Sequence, residues 1–270
     1  MIIVKLKGGL GNQLFQYAIG RYLAEVHGTE VKMDISFFDT YKLHTFSIWP
    51  LNIRENIAIQ EEVMALTVKM PRVYREKQFH FDADVLKLPD FVYLDGYWQS
   101  EKYFSDIADI IRKEFTVKFP QIGRDKDVAE QISLCNSVCL HIRRGSYLLP
   151  EHSIHGICPM EYYSRCLDYL DRKEKDLHLF IFSDDPDWVS ENSHFNYPVT
   201  IVRHNGPEKD YEDLRLMAQC KHFIIANSTF SWWGAWLSSN ENKIVFAPRR
   251  WFASGDLDTR DLLPDGWIRY

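Results

Sequence analysis

The chain has 270 residues, of which 38 are Asp or Glu and 32 are Lys or Arg, so its net charge is −6. A mildly acidic chain lacks the basic face that bulk nucleic-acid binding requires, and 46% hydrophobic residues exclude extended disorder. No apolar stretch approaches a membrane span and the amino-terminal run is too short for a signal peptide, so we expect a globular cytoplasmic protein.

The chain opens with a strand, a loop, a helix and a second strand. A buried strand at 2–6 is followed by the Gly-rich segment GGLGNQ at 8–13. From residue 12 the apolar residues recur at helical spacing, and Gly28 is a suitable end for this helix. The segment 30–36 predicts the second strand, so these elements form the start of a parallel sheet.

The pattern from about residue 40 to residue 120 is less regular. Helix signals occur near 56–69 and 100–115, and 91–100 predicts a strand that leads into a loop. The polar stretch 121–127 is the best candidate for a domain boundary, because it precedes a region of different organisation.

Strands and helices alternate regularly in the second half. The predicted strands are 137–143, 177–185, 199–204, 222–228 and 242–248, and the predicted helices are 159–173, 186–193, 210–220 and 229–239. This alternation predicts a doubly wound α/β fold. We therefore expect two Rossmann-like α/β domains with a cleft between them, an N-terminal domain at 1–125 and a C-terminal domain at 126–270.

Four polar clusters stand where predicted strands end, and ligands bind at the carboxyl ends of parallel strands. They are GGLGNQ (8–13), HIRRGS (141–146), FSDD (182–185) and NSTFSWW (227–233). Because they come from separate parts of the chain, a cleft between two domains would bring them together.

The Gly-rich loop suits the close approach of a ligand to backbone N–H groups. Gly9 and Gly11 permit such an approach, and the following helix start favours an anion. The loop resembles a dinucleotide-binding fingerprint, but Leu14 stands where the third Gly belongs. Asp34 could serve as the ribose-binding acid, so an NAD(P)-binding oxidoreductase and a plain tight turn stay open as alternatives.

The HIRR cluster offers cations at a strand end. Alternate strand residues share a face, so His141 and Arg143 should point one way and Arg144 the other. A guanidinium group donates paired hydrogen bonds to phosphate oxygens. The alternative is an arginine pair bridging surface acids, although Gly145 favours a tight turn near a ligand.

The FSDD cluster precedes a helix that opens at Pro186. Asp184 or Asp185 should cap this helix, and one of these acids could orient an arginine. The spacing of Asp185 and Asp187 also matches a metal-binding D-x-D motif, which we consider the weaker reading.

The NSTFSWW cluster predicts a second phosphate-binding site. Asn227, Ser228 and Thr229 should cap a helix whose N–H groups favour an anion, and an ordinary cap is the alternative. Three tryptophans follow on this helix, and we expect at least two in the core: Trp232, Trp233 and Trp236. Two phosphate-binding sites and a Gly-rich loop together indicate a nucleotide-sugar donor, because breaking its sugar–phosphate bond requires stabilised diphosphate charge.

The five cysteines lack C-x-x-C spacing, and we interpret them as reduced thiols that lie mostly in the core. A zinc site with His152 or His155 is the alternative, but paired ligand spacing is missing. We therefore predict no metal and no cofactor apart from the donor substrate.

Residues 2–247 resemble the bacterial α-1,2-fucosyltransferases of glycosyltransferase family 11. The resemblance is carried by four sequence segments that occur in a fixed order: GGLGNQLFQYA, HIRRGSY, FSDD and DLRLMAQCKHFIIANSTFSWWGAWL. The resemblance implies a GT-B-like fold and metal-independent, inverting transfer of L-fucose from GDP-β-L-fucose. It implies as acceptor the 2-hydroxyl of a β-galactosyl unit in a glycan such as O-antigen or capsule. A lipid-linked acceptor would bring the enzyme to the inner membrane face.

The resemblance also implies roles for single residues. Arg143 meets the β-phosphate, His141 lies beside the nucleotide and Asn12 lies near the reacting sugar, so these three are the predicted catalytic residues. Asp213 recognises guanine and Asp184 steadies the arginine. The predicted donor-binding residues are Gly9, Gly11, Arg144, Asp184, Asp213, Asn227, Ser228, Thr229 and Phe230.

One position departs from the family pattern, since Ser146 stands where relatives more often carry Asp. Serine has no suitable pKa for a base, and Glu151 is the only candidate base that we name. Transfer to another linkage or acceptor, and a non-catalytic glycan-binding protein, are the further alternatives.

Overall fold

The computed structural model describes residues 1–41, 43–148, 154–253, 255 and 257–270. The chain divides into two compact units, Met1–Lys118 with Leu257–Pro264, and Phe119–Asp256 with Asp265–Tyr270. The first is called unit 1 and the second unit 2. The chain divides after Lys118, and the polar run 121–127, which was expected to mark the boundary, contributes the start of a helix at Gly123–Leu134.

Unit 1 is built on a sheet of four parallel strands in the order β2-β1-β4-β3. The strands are β1 (Ile2–Lys5), β2 (Val31–Asp34), β3 (Val73–Arg75) and β4 (Val92–Asp95). The helices are α1 (Leu10–His27), α2 (Phe37–Thr40), α3 (Gln60–Met64), which continues as a π-helical turn (Ala65–Lys69), and α4 (Ala108–Glu114). The parallel start of the chain is thus confirmed.

Helix α1 begins two residues earlier than its sequence pattern predicts. Gly9 precedes the first turn, so Gly11 lies inside the helix rather than in a loop. The helix ends as predicted at Gly28, which adopts φ 59°, a left-handed conformation that glycine accepts without strain. Leu14 and Phe15 are completely buried and contribute to the core of unit 1.

A late segment of the chain completes unit 1. The backbone N–H of Phe81 donates to the Asp261 carboxylate at 3.2 Å, and the Ser100 hydroxyl donates to the Asp261 carbonyl at 2.6 Å. Lys102 forms an ion pair with the same carboxylate. Residues 257–264 are therefore fixed to two loops of unit 1 by polar contacts.

Unit 2 contains six parallel strands in the order β10-β9-β8-β5-β6-β7. The strands are β5 (Asn136–Ile142), β6 (Leu177–Ser183), β7 (Val199–Val202), β8 (His222–Ile224), β9 (Val245–Ala247) and β10 (Ile268–Arg269). The helices are α5 (Gly123–Leu134), α6 (Met160–Asp171), α7 (Pro186–Asn192), α8 (Asp210–Gln219) and α9 (Thr229–Leu237). This is the predicted doubly wound sheet.

The strand order of unit 2 reverses beside β5. The chain runs outward through β6 and β7, returns to β8 on the other side of β5, and then continues through β9. Ligands of doubly wound sheets bind at this switch point, at the carboxyl ends of the strands. The HIRR cluster covers the end of β5 and the two residues after it, and the NST residues follow β8, so both clusters lie at the switch point.

Apolar residues that we predicted to be buried form part of the core of unit 2. Trp232, Trp233 and Trp236 are all buried, so the expected burial of at least two is confirmed. All five cysteines are free thiols, and four of them are buried, as expected. No helix in the described part of the chain combines the length and the apolar character that a membrane crossing needs.

Candidate active site

Arg143 and Asp184 form an ion pair at the ends of two neighbouring strands. Arg143 follows β5 and Asp184 follows β6, and the Arg143 Nε atom lies 3.2 Å from Asp184 Oδ2. The Asp184 carboxylate also accepts the backbone N–H of Arg144 at 2.9 Å. Burial raises the pKa of Asp184, but Arg143 and the backbone N–H groups of Arg144 and Gly145 outweigh it, so the pKa lies below its usual range. An ionised Asp184 thus orients Arg143.

Arg144 packs against α7. Its guanidinium carbon lies 3.6 Å from the ring centroid of Trp188, and its Nε lies 3.5 Å from Asp185 Oδ2. Asp185 caps α7 by accepting the backbone N–H of Trp188, as predicted. A donor contact of Arg144 stays a prediction, since these neighbours already hold its side chain.

His141 is a buried, neutral residue of β5. Its Nδ1 and the Ser231 hydroxyl oxygen are 2.8 Å apart, and the Ser231 hydroxyl donates to the Ser228 carbonyl at 3.3 Å. This chain of hydrogen bonds assigns a proton to Nδ1 and leaves Nε2 as an acceptor. Burial, and secondly the charge of Arg143, lower the pKa of His141 to about 3, although Asp184 acts in the opposite direction.

The low pKa of His141 predicts an acid-sensitive fold. The unfolded chain takes up a proton at its ordinary pKa near 6.5, so the free energy of unfolding should fall between about pH 6.5 and 3, by up to about 1.4 kcal/mol per pH unit. We expect His141→Asn to flatten this slope, measured by urea unfolding at several pH values. His194→Asn, at an exposed site, is the matched control. Identical slopes in wild type and His141→Asn would contradict the assignment.

The start of α9 stands near His141. Ser228 occupies the N-cap position, but its hydroxyl makes no capping hydrogen bond, which differs from the predicted side-chain cap. The Ser228 side chain is instead hydrogen-bonded to Tyr147. Thr229 and Phe230 are partly exposed, and the Phe230 ring centroid lies 5.9 Å from that of His141. The positive end of α9 thus lies beside the carboxyl end of β5.

Tyr147 links the two sides of the switch point. Its hydroxyl donates to the Asn227 carbonyl at 3.0 Å, and its ring lies 5.4 Å from the guanidinium carbon of Arg143. Its ring also stacks on the ring of His155, with centroids 4.6 Å apart. Sequence reasoning did not assign Tyr147 or Ser231 to the site, although both stand inside the quoted motif strings.

Asn227 holds loops together. Its side-chain amide donates to the carbonyls of His155 at 2.7 Å, Trp251 at 3.0 Å and Gly156 at 3.3 Å, and the side chain is buried. A buried amide with these partners stabilises the segments around β8 and β9. Its predicted contact with the donor stays a prediction, because these carbonyls already occupy the amide hydrogens.

Asp213 lies in the first turn of α8 within a polar network. The Asn205 amide donates to one oxygen of Asp213 and to one of Asp125, at 2.8 Å each. The same Asp125 oxygen lies 2.8 Å from His204 Nε2. Burial raises the pKa of Asp213 to about 7, with Asn205 acting against it and the charges of Asp125 and Glu212 adding to it.

Asn12 lies in the first turn of α1 in unit 1. Its Oδ1 accepts a hydrogen bond from the Gln99 amide at 3.0 Å. Gly8 adopts φ 77°, and a Cβ there would lie 2.6 Å from the Asn12 amide nitrogen, so only glycine fits. Gln13 fixes the loop by donating to the carbonyls of Gly8 and Thr45 at 2.9 and 2.8 Å.

The acids of the two alternative sites, Asp34 and Asp187, both have partners within the protein. Asp34 is buried and accepts the Tyr93 hydroxyl at 2.6 Å, so it is not presented to a ribose. Asp187 forms an ion pair with Arg203 at 3.3 Å. Among the described residues, no group of three or more His, Cys, Asp or Glu side chains is arranged to hold a metal ion.

Some predicted residues lie outside the described part of the chain. Glu151, the candidate base, and His152 are in the 149–153 gap, and the side chain of Ser146 is not described. Their predicted roles stay predictions. The structure thus brings together, in unit 2, Arg143, Asp184, His141 and the start of α9, while Asp213 belongs to the network at α8.

The chain matches known proteins over its whole length. The model of glycosyl transferase family 11 matches residues 1–269. The alpha-1,2-colitosyltransferase of Escherichia coli is 33% identical over 288 residues, which cover 100% of this chain and 98% of that protein. Human galactoside alpha-(1,2)-fucosyltransferase 1 is 26% identical over 247 residues, which cover 87% of this chain and 64% of that protein.

The fold matches a solved fucosyltransferase. The alpha-1,6-fucosyltransferase NodZ of Bradyrhizobium, in crystals soaked with GDP-fucose, superimposes with a TM-score of 0.53 at 15% identity. The superposition covers 87% of this chain and 91% of NodZ. The fold is thus the predicted GT-B-like pair of α/β units, and the chain belongs to glycosyl transferase family 11 and is a glycosyltransferase.

Proposed function

We propose that the protein is an inverting galactoside α-1,2-fucosyltransferase that transfers L-fucose from GDP-β-L-fucose to the 2-hydroxyl of a β-galactosyl unit. The observation that carries the proposal is the position of Arg143, which is paired with an ionised Asp184 next to the start of α9. A cation and a helix N-terminus at one switch point suit a diphosphate leaving group. The names of the colitosyl- and fucosyltransferase relatives support the α-1,2 linkage.

Arg143 acts on the leaving group in this proposal. As the bond between the anomeric carbon and the β-phosphate oxygen breaks, both bonding electrons stay with GDP. The guanidinium donates to the β-phosphate, and the positive end of α9 stabilises the same charge. The galactose hydroxyl oxygen forms its bond on the opposite face of the sugar and releases its proton to solvent water, so the β-linked donor gives an α-linked product.

The other predicted residues position the donor. Neutral His141 offers Nε2 as an acceptor beside the nucleotide and adds no charge to the site. Ser228, Thr229 and Phe230 form the phosphate side, and Asn12 of unit 1, held by Gln99, is assigned to the reacting sugar. We assign no general base among the described residues.

The direct test is incubation with GDP-L-fucose and a panel of β-galactosides and other glycans, followed by linkage analysis of the products. We expect GDP release coupled to an α-1,2-linked fucose on galactose. Another linkage, or transfer to a sugar other than galactose, would overturn the assignment of acceptor. Glycan binding without GDP release would identify a glycan-binding protein instead.

A colitosyl donor is the second candidate, because the relative at 33% identity is named a colitosyltransferase. Colitose is L-fucose without its 3-hydroxyl, so both sugars fit one site unless a polar group pairs with that hydroxyl. We expect kcat/KM to favour GDP-fucose over GDP-colitose, since a site built to bond a hydroxyl discriminates strongly against its loss. A higher value for GDP-colitose would make the protein a colitosyltransferase.

Asp213 predicts a pH-dependent affinity for GDP. An ionised carboxylate pairs with the N1–H and the 2-amino group of guanine, but its pKa of about 7 leaves it protonated in acid. We therefore expect the Kd for GDP to rise about tenfold per pH unit below about pH 7. In Asp213→Asn the Kd should be at least about tenfold higher and nearly independent of pH.

Calorimetry with GDP and inosine diphosphate tests this assignment, because inosine lacks the 2-amino group. Wild type should prefer GDP, and Asp213→Asn should bind the two nucleotides alike. Asp187→Asn, on an exposed side chain, is the control. Full GDP preference in Asp213→Asn would remove this residue from guanine recognition. A thermal shift with NAD instead of GDP would favour the oxidoreductase.

A further inference from the structure

Unit 2 contains a cavity of about 420 Å³ that no step of the proposed reaction uses. It is lined by the first half of α6, the 155–158 segment and the residues that follow β9. The buried polar groups that line it already have hydrogen-bond partners within the protein. The Tyr162 hydroxyl donates to the Ile225 carbonyl at 2.8 Å, and the Asn227 amide donates to loop carbonyls. A ligand in this cavity would therefore be held by groups at the rim.

The rim carries three arginines, Arg165, Arg249 and Arg250. We call this cavity with its rim the arginine pocket. The guanidinium carbon of Arg165 lies 5.2 Å from the ring centroid of Tyr270, and its Nη1 lies 3.9 Å from Glu161 Oε1. Glu161 is the acidic side chain among the described residues that line the cavity. Arg249 and Arg250 are exposed, and neither guanidinium forms an ion pair within the described ranges of the chain.

The charge pattern identifies the ligand class. With three arginines and one acidic side chain among its described lining residues, the cavity carries an excess of positive charge, which favours the binding of an anion. A guanidinium fork fits phosphate oxygens in a paired arrangement, and a cavity of this size admits a diphosphate with part of its carrier. We propose that the arginine pocket binds a phosphate or diphosphate group.

This anion is distinct from the β-phosphate assigned to Arg143. The lining of the arginine pocket includes neither Arg143, Asp184 nor the residues that open α9. Asn227 lines the pocket, and the chain passes from it directly to Ser228. The pocket therefore adjoins the donor side of the switch point and suits either a free anion or a phosphate carried by the acceptor.

The first experiment titrates inorganic pyrophosphate into the full chain saturated with GDP, at constant ionic strength, by calorimetry. Because GDP then occupies the proposed phosphate-binding site at Arg143, the heat released on adding pyrophosphate reports binding at a second site. We expect pyrophosphate to bind and the double variant Arg249→Ala, Arg250→Ala to weaken this binding at least about tenfold. Arg172→Ala, which removes an exposed arginine at the far end of α6, should stay within about twofold of wild type.

Three results would overturn the proposal: no pyrophosphate binding once GDP is present, equal affinity in the double variant, or an equal loss in Arg172→Ala. GDP titration of the double variant shows whether unit 2 has folded. If that variant does not bind GDP, the single charge reversal Arg250→Glu, at an exposed position, replaces it, and wild-type pyrophosphate affinity there would equally refute the pocket.

A second pair of assays distinguishes the sources of the anion. Transfer is measured to one glycan in two forms, neutral and carrying a diphosphate at its reducing end. A KM raised in the double variant for the diphosphate form alone assigns the pocket to the acceptor. Unchanged KM values for both forms, together with lost pyrophosphate binding, assign it to a free anion. The calorimetric experiment requires no turnover, so its result does not depend on whether the protein catalyses the proposed transfer.

Discussion

Arg143→Ala is expected to lower kcat/KM for GDP-fucose by about 10³-fold while both units stay folded. The guanidinium donates to the β-phosphate as negative charge develops there, and removing one such donor from a preorganised site commonly costs about 10²–10³-fold. Because this substitution also removes a full positive charge, we expect a loss of kcat/KM at the upper end of that range. Arg143→Lys keeps the charge but lacks the paired donors, so it should recover only part of the rate.

Initial rates of GDP release and the KM for donor measure this effect. Arg172→Ala is the matched control, because it removes an exposed arginine from the same unit. Thermal melting separates catalysis from folding. The Arg143 and Asp184 side chains are 24% and 18% exposed, so their separation should cost only about 1–2 kcal/mol of stability. A variant that keeps more than a tenth of the wild-type kcat/KM would exclude Arg143 from the leaving-group step.

Asp184→Ala should be the most destabilising single change at the site. The carboxylate accepts backbone N–H groups of the turn after β5 and balances Arg143, so its removal leaves a half-buried cation and unpaired donors. Charge-assisted hydrogen bonds contribute about 1.5–3 kcal/mol each, and we expect a total loss of about 3 kcal/mol. Activity should fall as well, because Arg143 loses its orientation.

Urea unfolding of Asp184→Ala, Asp184→Asn and Asp187→Ala tests this prediction. The Asn variant still accepts a backbone N–H and should lose less, while Asp187, 86% exposed, should contribute under about 0.5 kcal/mol. Since the folded pKa of Asp184 lies below its unfolded value, its stabilisation is complete above about pH 4 and disappears as the pH falls through the folded pKa. Equal stability of Asp184→Ala and wild type would refute the role.

Strands β5 to β9 of unit 2 were predicted from the sequence because each of them is a short apolar run with a polar end. The strand expected at 137–143 is Asn136–Ile142, and the one expected at 177–185 ends at Ser183. Strands β3 and β10 escaped detection, since three and two residues carry almost no periodic signal. The polar run 121–127 was interpreted as a domain boundary, and helix α5, which begins within it, was not predicted because only Val128 and Ile132 of this helix are buried.

The site was predictable as far as its residues stand beside strand ends. The pairing of Arg143 with Asp184 follows from adjacent parallel strands, which place their carboxyl ends at one edge. The bond between His141 and Ser231 spans 90 positions and depends on how α9 returns across the sheet. The occupation of Asn227 by three loop carbonyls likewise depends on tertiary packing, which no local pattern encodes.

The path of the chain through the two units has a consequence for biosynthesis. Unit 1 is interrupted after Lys118 and resumes only at Leu257, whose segment supplies the Asp261 contacts to Phe81, Ser100 and Lys102. A ribosome adding about 5–20 residues per second needs about 7–30 s to make the intervening stretch. During that interval the loops that carry Phe81, Ser100 and Lys102 lack their contacts with Asp261, so unit 1 gains these polar contacts only after residues 257–264 have been made.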